Sequence, residues 1–322
     1  MRLVHVVVLA VGLGLVGLAL GNAQDGSYPS RTVKIVVATG PGGATDVTAR
    51  SVAQTLNESL GQYFVVENHP GARGLIGVNA MLREKRDGYT LLLMASSQSV
   101  LPAFYELPYD PVGDFSPIAL VTIVPVILVA RADLPVTSAA ELIQYGKQHP
   151  GEMTYGFQGG ATQIAAALFA KRAGFEATGI PYTASAQVAT ELIAGRLAFV
   201  MMTAEQAKPL ADAGKLRALA TAGTKRATAF PDLPTLAELG LPIEGTGWFG
   251  LVGPRDLPKP VSDKLYATLK ANYVGKPAQA RLVDAGMEPA DQGPAEFTAR
   301  LKDEIERYIQ IGNELGIKKI RL

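Results

Sequence analysis

The chain has 322 residues, with 30 Lys+Arg against 29 Asp+Glu, 48% hydrophobic residues and 18% charged ones. That balance excludes a disordered chain, and the absence of a basic footprint excludes a nucleic-acid binder. With no cysteine there is no disulfide framework, thiolate nucleophile, iron–sulfur cluster or lipid-modified N-terminal Cys, and none of His5, His69 and His149 pairs at a metal-binding spacing.

Arg2 precedes the uncharged run Val6 to Leu20, and Gly21-Asn22-Ala23 follows it. A positive start, a short apolar run and small residues at −3 and −1 read as a secretory signal peptide cut after Ala23. The alternative is a membrane anchor, for which the run falls short of the roughly 20 apolar residues a span needs. A cysteine-free exported chain points to the bacterial periplasm.

Val33 to Thr39 is a β-rich run ended by Gly40-Pro41-Gly42-Gly43. A helix is predicted from Asp46 to Leu60, with Gly61 placed to stop it. Phe64 to Glu67 reads as a strand, Leu75 to Arg83 as a helix and Thr90 to Ala95 as an apolar strand. This alternation predicts a parallel, doubly wound α/β sheet. Prolines 102, 108, 111 and 117 then punctuate an irregular stretch. The apolar run Ile118 to Ala130 is long for one strand and is read as a crossing into a second domain. Helices follow at Ser138–His149, Thr162–Ala173 and Ala186–Ala194, with one strand at Met153–Gly156, one ending at Pro181-Tyr182 and one at Leu197–Met202. Leu216 to Ala222 is read as the crossing back. The C-terminal part has Pro-rich connections and helices at Val261–Tyr273 and Pro294–Leu315. The expected fold is therefore α/β with two lobes, each a sheet with flanking helices, and a ligand cleft between them. Residues 1–23 form the signal peptide, 24–123 and 223–322 a discontinuous first lobe, and 124–222 the second.

Four strand-end loops are the candidate sites. Gly42, Gly43, Ala44, Thr45 and Asp46 stand between a strand and a helix, where glycines expose backbone N–H groups and the helix N-terminus adds partial positive charge. Thr45 or Asp46 is expected to cap that helix. A plain strand–helix turn is the alternative; the motif is neither a Walker loop nor GxGxxG. Ser96, Ser97 and Gln98, read as a polar loop after the third strand, offer side chains for a carboxylate or hydroxyl. Gln158, Gly159, Gly160, Thr162 and Gln163 make a second Gly-rich helix entrance, and Tyr182 with Thr183 opens the next helix. No GxSxG elbow surrounds the serines, and His69 and His149 lie in turns or helix ends, so no catalytic residue is assigned.

The segment Tyr28-Pro29-Ser30-Arg31 through the GPGGATDVTAR run at 40–50 resembles the Bug (Bordetella uptake gene) solute receptors, the periplasmic components of tripartite tricarboxylate transporters. So do Glu67 to Gly77, Asp87-Gly88-Tyr89-Thr90-Leu91-Leu92, Pro108-Tyr109-Asp110-Pro111, Asp114 to Ile118, Lys215 to Ala220 and Pro231 to Glu238. The likeness covers nearly the whole chain after residue 27. It implies a two-domain, periplasmic-binding-protein fold of the type II kind that closes on a carboxylate, held by main-chain amides from the loop at Gly42 to Asp46 and by loops of the opposite lobe. Three departures stand out. Gln163 stands near the family's His, Thr183 replaces a Lys in Pro-Tyr-Lys-Gly, and Met202 replaces a common Asp. A less charged distal pocket follows, suited to a dicarboxylate or an aromatic carboxylate.

The implied partners are a small carboxylate ligand and membrane permease subunits, with no nucleic acid, no cofactor, no metal and a monomeric state. A ligand-loaded sensor partner for a membrane histidine kinase is the alternative role; a hydrolase would turn its ligand over.

Overall fold

The computed structural model describes residues 28–158, 160–243 and 245–321. The expected signal peptide and its cleavage point at Ala23 lie outside the described residues. In chain order the elements are β1 (Val33–Val37), α1 (Ala44–Leu60), β2 (Phe64–Asn68), α2 (Leu75–Leu82), β3 (Thr90–Ala95), α3 (Ser97–Phe104), β4 (Tyr105–Glu106) and β5 (Phe115–Val124). There follow β6 (Val126–Arg131), α4 (Ala139–Gln148), β7 (Thr154–Phe157), α5 (Gly160–Ala173), β8 (Thr178–Pro181), α6 (Ser185–Ile193), β9 (Phe199–Thr203), α7 (Ala204–Asp212) and β10 (Leu216–Thr221). The chain ends with β11 (Gly247–Pro254), α8 (Lys259–Asn272), α9 (Ala280–Asp284), β12 (Glu288–Gln292), α10 (Pro294–Glu314) and β13 (Ile320–Arg321).

Two large sheets result. The first has six strands in the order β12-β5-β11-β3-β1-β2, and the second five in the order β10-β6-β9-β7-β8. The sheets are mixed, where alternation alone suggested parallel ones. In the first sheet β1 runs parallel to β2 and β3, while β11 and β12 run antiparallel to their neighbours. In the second, β7 is parallel to β8 and β9, and β6 and β10 are antiparallel. The antiparallel half of each sheet is the half through which the chain leaves and returns.

The run Ile118 to Ala130 is two strands in two sheets, broken at Pro125. Proline has no N–H for a ladder, so neither strand can run through it. Its carbonyl is not wasted: it accepts from Ala204 N–H at 2.8 Å. The return passes from β10 through residues 222–246 to β11. Helix α1 stops at Gly61, whose φ of 67° is the left-handed conformation glycine adopts freely, with its N–H on Asn57 O.

The cores follow the sheets. Val33, Ile35, Leu91, Leu93 and Leu251 pack under α1 and α8 on one face of the first sheet, and Leu92, Leu120 and Val252 pack with Phe297 and Leu301 of α10 on the other. In the second sheet Phe199 packs against Phe169 and Phe175. Val100 and Ala103 of α3, with Tyr308 and Ile311 of α10, belong to this second cluster. The layers of the two sheets are thus joined by apolar packing along one side.

Two sequence readings are corrected. Ser96 to Ser99 is not a loop: Ser97 opens α3, and Pro102 sits inside that helix rather than ending it. The short helix of eight residues loses only one internal bond to the proline, and burial of Val100, Leu101 and Ala103 holds it. Helix α7 follows β9 directly and also contains a proline, Pro209, which hid it from the sequence pattern.

Candidate functional site

The four candidate segments stand at the carboxyl ends of parallel strands. Gly40 to Gly43 lead from β1 into α1, Ser96 joins β3 to α3, Gln158 precedes α5 after β7, and Tyr182 to Ala184 join β8 to α6. β1 neighbours β3, and β7 neighbours β8. Each sheet therefore gathers its two candidate loops at one end of its parallel half, where ligands of open α/β sheets are received. The crossings lie in the other half.

The loop at Gly42 is built around Asp46. Helix α1 has Gly43 as its N-cap residue, with no side-chain cap, so the expected capping by Thr45 or Asp46 does not occur; both lie inside the first turn and are buried. The first intrahelical bond runs from Val47 N–H to Gly43 O, so the amides of Ala44, Thr45 and Asp46 precede the ladder. Asp46 instead clamps its surroundings. Its carboxylate accepts Gly42 N–H at 3.0 Å, Arg50 Nε at 2.9 Å and Asn68 Nδ2 at 2.9 Å. Asn68 Nδ2 also reaches Thr39 O at 3.1 Å. The hydrogen-bonded Arg50 guanidinium, with the Gly42 and Asn68 donors, outweighs burial and lowers the Asp46 pKa to about 2. Asp46 is thus a neutralised brace behind the loop, and the Gly42 N–H is committed to it. Gly43 remains exposed, and a Cβ added there would meet nothing within 4 Å.

The Ser96 segment differs from expectation. Ser96 N–H donates to Trp248 O at 3.0 Å, and Ser97 is exposed. Gln98 is buried, its Nε2 donating to Arg73 O and its Oε1 accepting from Tyr109 O–H, both at 3.2 Å. That bond steadies a turn in which Ala72 (φ 44°) and Arg73 (φ 57°) both take the left-handed conformation that costs a non-glycine residue energy. Gln98 is therefore directed into the protein.

In the second sheet's half, Gln158 is exposed and Gln163 half-buried in the first turn of α5, which Gly160 opens; Thr162 lies between them. Gly159 lies outside the described residues. Tyr182 is half-buried, its N–H on Phe157 O at 2.9 Å, and Thr183 is exposed beside Gln187. Met202 is buried against Ile127 and Val200, a core residue at the end of β9.

A fifth segment was missed. β9 is parallel to β7, so Thr203 and Glu205, where β9 meets α7, stand at the same rim. Thr203 Oγ1 is buried without a hydrogen-bond partner, and burial raises the Glu205 carboxyl pKa. The signal available in the sequence was the strand–helix alternation itself, masked by Pro209. Arg50 and Asn68 were missed as well, because their role depends on a contact between segments.

Backbone amides, hydroxyls and amide side chains at the strand ends of two sheets, with no cation at the centre of each loop, define a two-lobed binder of small solutes. Residues 48–317 match the family model "Tripartite tricarboxylate transporter family receptor", and the chain belongs to this family of periplasmic solute-binding proteins. It is 33% identical to protein BugT of Bordetella pertussis over 97% of both chains. Among solved structures it resembles the R. palustris protein Rpa4515 with adipate (33% identity, TM-score 0.78, 91% of this chain and 100% of that one). It also resembles MatC of Rhodopseudomonas palustris with bound malate (29% identity, TM-score 0.73, 88% and 100%).

Proposed function

We propose that this chain binds a small dicarboxylate or aromatic carboxylate between two lobes and hands it to the membrane permease subunits of a tripartite transporter. The lobes are residues 24–123 with 223–322, and 124–222, the first 23 residues being removed on export. The observation that carries the reading is the start of α1. A helix N-terminus whose nearby carboxylate is already held by Arg50 presents amides and open space at Gly43 to an anion.

In this reading Gly43, Ala44 and Thr45 receive one carboxylate by their backbone N–H groups, from a loop whose shape Gly42 and Asp46 hold. Ser96 and Ser97 add hydroxyls from the same lobe. Gln158 to Gln163, Tyr182 and Thr183 close over the ligand from the other, joined by Thr203. The adipate and malate in two relatives are both dicarboxylates, which favours that class. Neutral donors bind an anion without a buried cation, and the solute is released when the lobes part.

The test is calorimetry with adipate, malate, citrate and benzoate, followed by recovery of the bound compound. Tight binding of a C4–C6 dicarboxylate or an aromatic acid, recovered unaltered, is the expected result. Turnover of the ligand would replace this reading with an enzymatic one. Uptake that fails without the receptor and returns with the wild-type chain tests the permease partnership.

A further inference from the structure

Helix α3 begins without the cap that its first residue could supply. Ser96 stands at the N-cap position, where a serine hydroxyl ordinarily accepts a backbone N–H of the first turn. Here Ser96 already has helical angles, φ −56° and ψ −20°, and its hydroxyl makes no such bond. Among the described residues Ser96 Oγ has no hydrogen-bond partner. It is half-buried at the strand end, 3.6 Å from where a Cβ on Gly247 would lie.

The backbone of Ser96 is fixed instead. Its N–H donates to Trp248 O at 3.0 Å, and its carbonyl oxygen accepts from Ser99 Oγ at 2.7 Å. Both partners end on one carboxylate. Trp248 Nε1–H donates to Glu304 Oε2 at 2.7 Å, and Ser99 Oγ lies 3.1 Å from the same oxygen. These contacts close a ring, Ser96–Trp248–Glu304–Ser99, that joins the end of β3 to β11 and α10. Trp248, Ser99 and Glu304 are all buried, and Arg300 Nε, 3.3 Å from Glu304 Oε1, balances the charge. Apolar side chains of similar volume often serve stability as well as a buried ion pair does; what the carboxylate adds here is direction. Val100 and Ala103 of α3 pack in the second sheet's core, so apolar burial holds the body of the helix towards that sheet. The ring ties its start to the first sheet.

We propose that Glu304 is a positioning residue of the ligand site: through Ser99 and Trp248 it fixes the backbone of Ser96 and so points the unbonded Ser96 hydroxyl at the ligand carboxylate. The role rests on the proposed receptor function, the ring itself on geometry alone.

Adipate affinity is measured by calorimetry on wild type, Ser96→Ala, Ser99→Ala, Glu304→Gln and the double variant Ser96→Ala/Ser99→Ala. Ser99→Ala opens the ring but leaves Glu304 its Trp248 and Arg300 partners, so it serves where Glu304→Gln folds poorly. Ser96→Ala and Ser99→Ala are each expected to bind about fivefold more weakly, the worth of one hydrogen bond, with Glu304→Gln following Ser99→Ala. The double variant should lose no more than Ser96→Ala alone, because Ser99 acts through the hydroxyl already removed. Independent losses, which a merely structural role would give, multiply to about twenty-fivefold and overturn the role. Full affinity in a folded Ser99→Ala overturns it as well. Hydrogen exchange of the free protein reads the ring without a ligand. The Ser96 amide should exchange about tenfold faster in Ser99→Ala and Glu304→Gln than in wild type, with the amides of β1 unchanged. Unchanged exchange at Ser96 overturns the positioning. A wild type that binds no carboxylate refutes the receptor function, and the exchange rates then decide by themselves whether the ring holds Ser96.

Discussion

Arg50 holds Asp46 by two hydrogen bonds, Nε to Oδ2 at 2.9 Å and Nη2 to Oδ1 at 3.0 Å, one helical turn apart on α1. An aspartate in the first turn would otherwise occupy the positive end of the helix itself. Paired with Arg50, and turned back to Gly42 and Asn68, it stiffens the loop and leaves the dipole for a ligand.

The lowered Asp46 pKa makes this brace pH-dependent. The folded value is about 2 and an unfolded aspartate titrates near 3.9, so the stabilisation is complete above about pH 4 and is lost as pH falls towards 2. The shift corresponds to about 2 kcal/mol, with Arg50 half in solvent and its pull partly screened. Urea unfolding of wild type and Asp46→Asn at pH 2.5, 4 and 7 measures it. The difference between them is expected to be largest at pH 7 and to shrink at pH 2.5; a constant difference would show that the carboxylate's charge has no part in it.

Asn68→Ala removes the link between Asp46 and Thr39 without touching any amide of α1. A loss of about 1 kcal/mol in stability is expected, because three hydrogen bonds go, to Thr39, Asp46 and Arg50, all of them partly exposed. Carboxylate affinity should fall further, because the loop's shape is then no longer fixed. Calorimetry with adipate checks this, an unchanged affinity counting against preorganisation by Asn68.

Gly42 and Gly43 separate folding from binding. Gly42 has φ 84°, so Gly42→Ala should cost about 1 kcal/mol or more of stability by thermal melt. Gly43 has φ −81° and open space around its absent Cβ. Gly43→Val should fold with a melting temperature close to wild type and bind adipate at least about tenfold more weakly, because the branched side chain fills the approach to the amides. A folded Gly43→Val with full affinity would remove the α1 N-terminus from the site.

Much of this was legible in the chain. The apolar runs from Val33 and Thr90 gave their strands, and Gly61 marked the end of α1 where the structure has it, whereas Leu216 to Ala222, read as the crossing back, is a strand of the second sheet alone and the return follows it. The crossing at Ile118 to Ala130 was visible as a run too long for one strand, although the break at Pro125 was not identified. What stayed hidden were relationships between segments. Nothing local says that Asp46 turns to Asn68 or that Gln98 points inward to Arg73 and Tyr109. Helices α3 and α7 each carry a proline, so the local signal opposed them, and packing decided otherwise.

At the rim of the second sheet, Thr183 is a neutral hydroxyl and Met202 a buried apolar side chain. A ligand's second charge finds no cation at Thr183, and a ligand amine finds no carboxylate at Met202. A fully buried, unpaired charge costs several kcal/mol, so citrate should bind weakly. Thr203 Oγ1 has no partner and can bond a hydroxyl or carboxyl oxygen at that rim. Glu205, its carboxyl pKa raised by burial, takes up a proton more readily than an exposed glutamate. A protonated Glu205 can donate to a carboxylate, whereas its ionised form repels one. Dicarboxylate affinity should therefore rise as pH falls towards the glutamate range, until the ligand itself protonates. Titration calorimetry of adipate, malate, aspartate and citrate at pH 5 and pH 8, on wild type and Glu205→Gln, measures both expectations. The expected order places adipate or malate at least about tenfold above citrate, with Glu205→Gln weakening the pH dependence. Citrate bound more tightly than both dicarboxylates would mean that the second charge is met by groups other than those at Thr183, Met202 and Glu205.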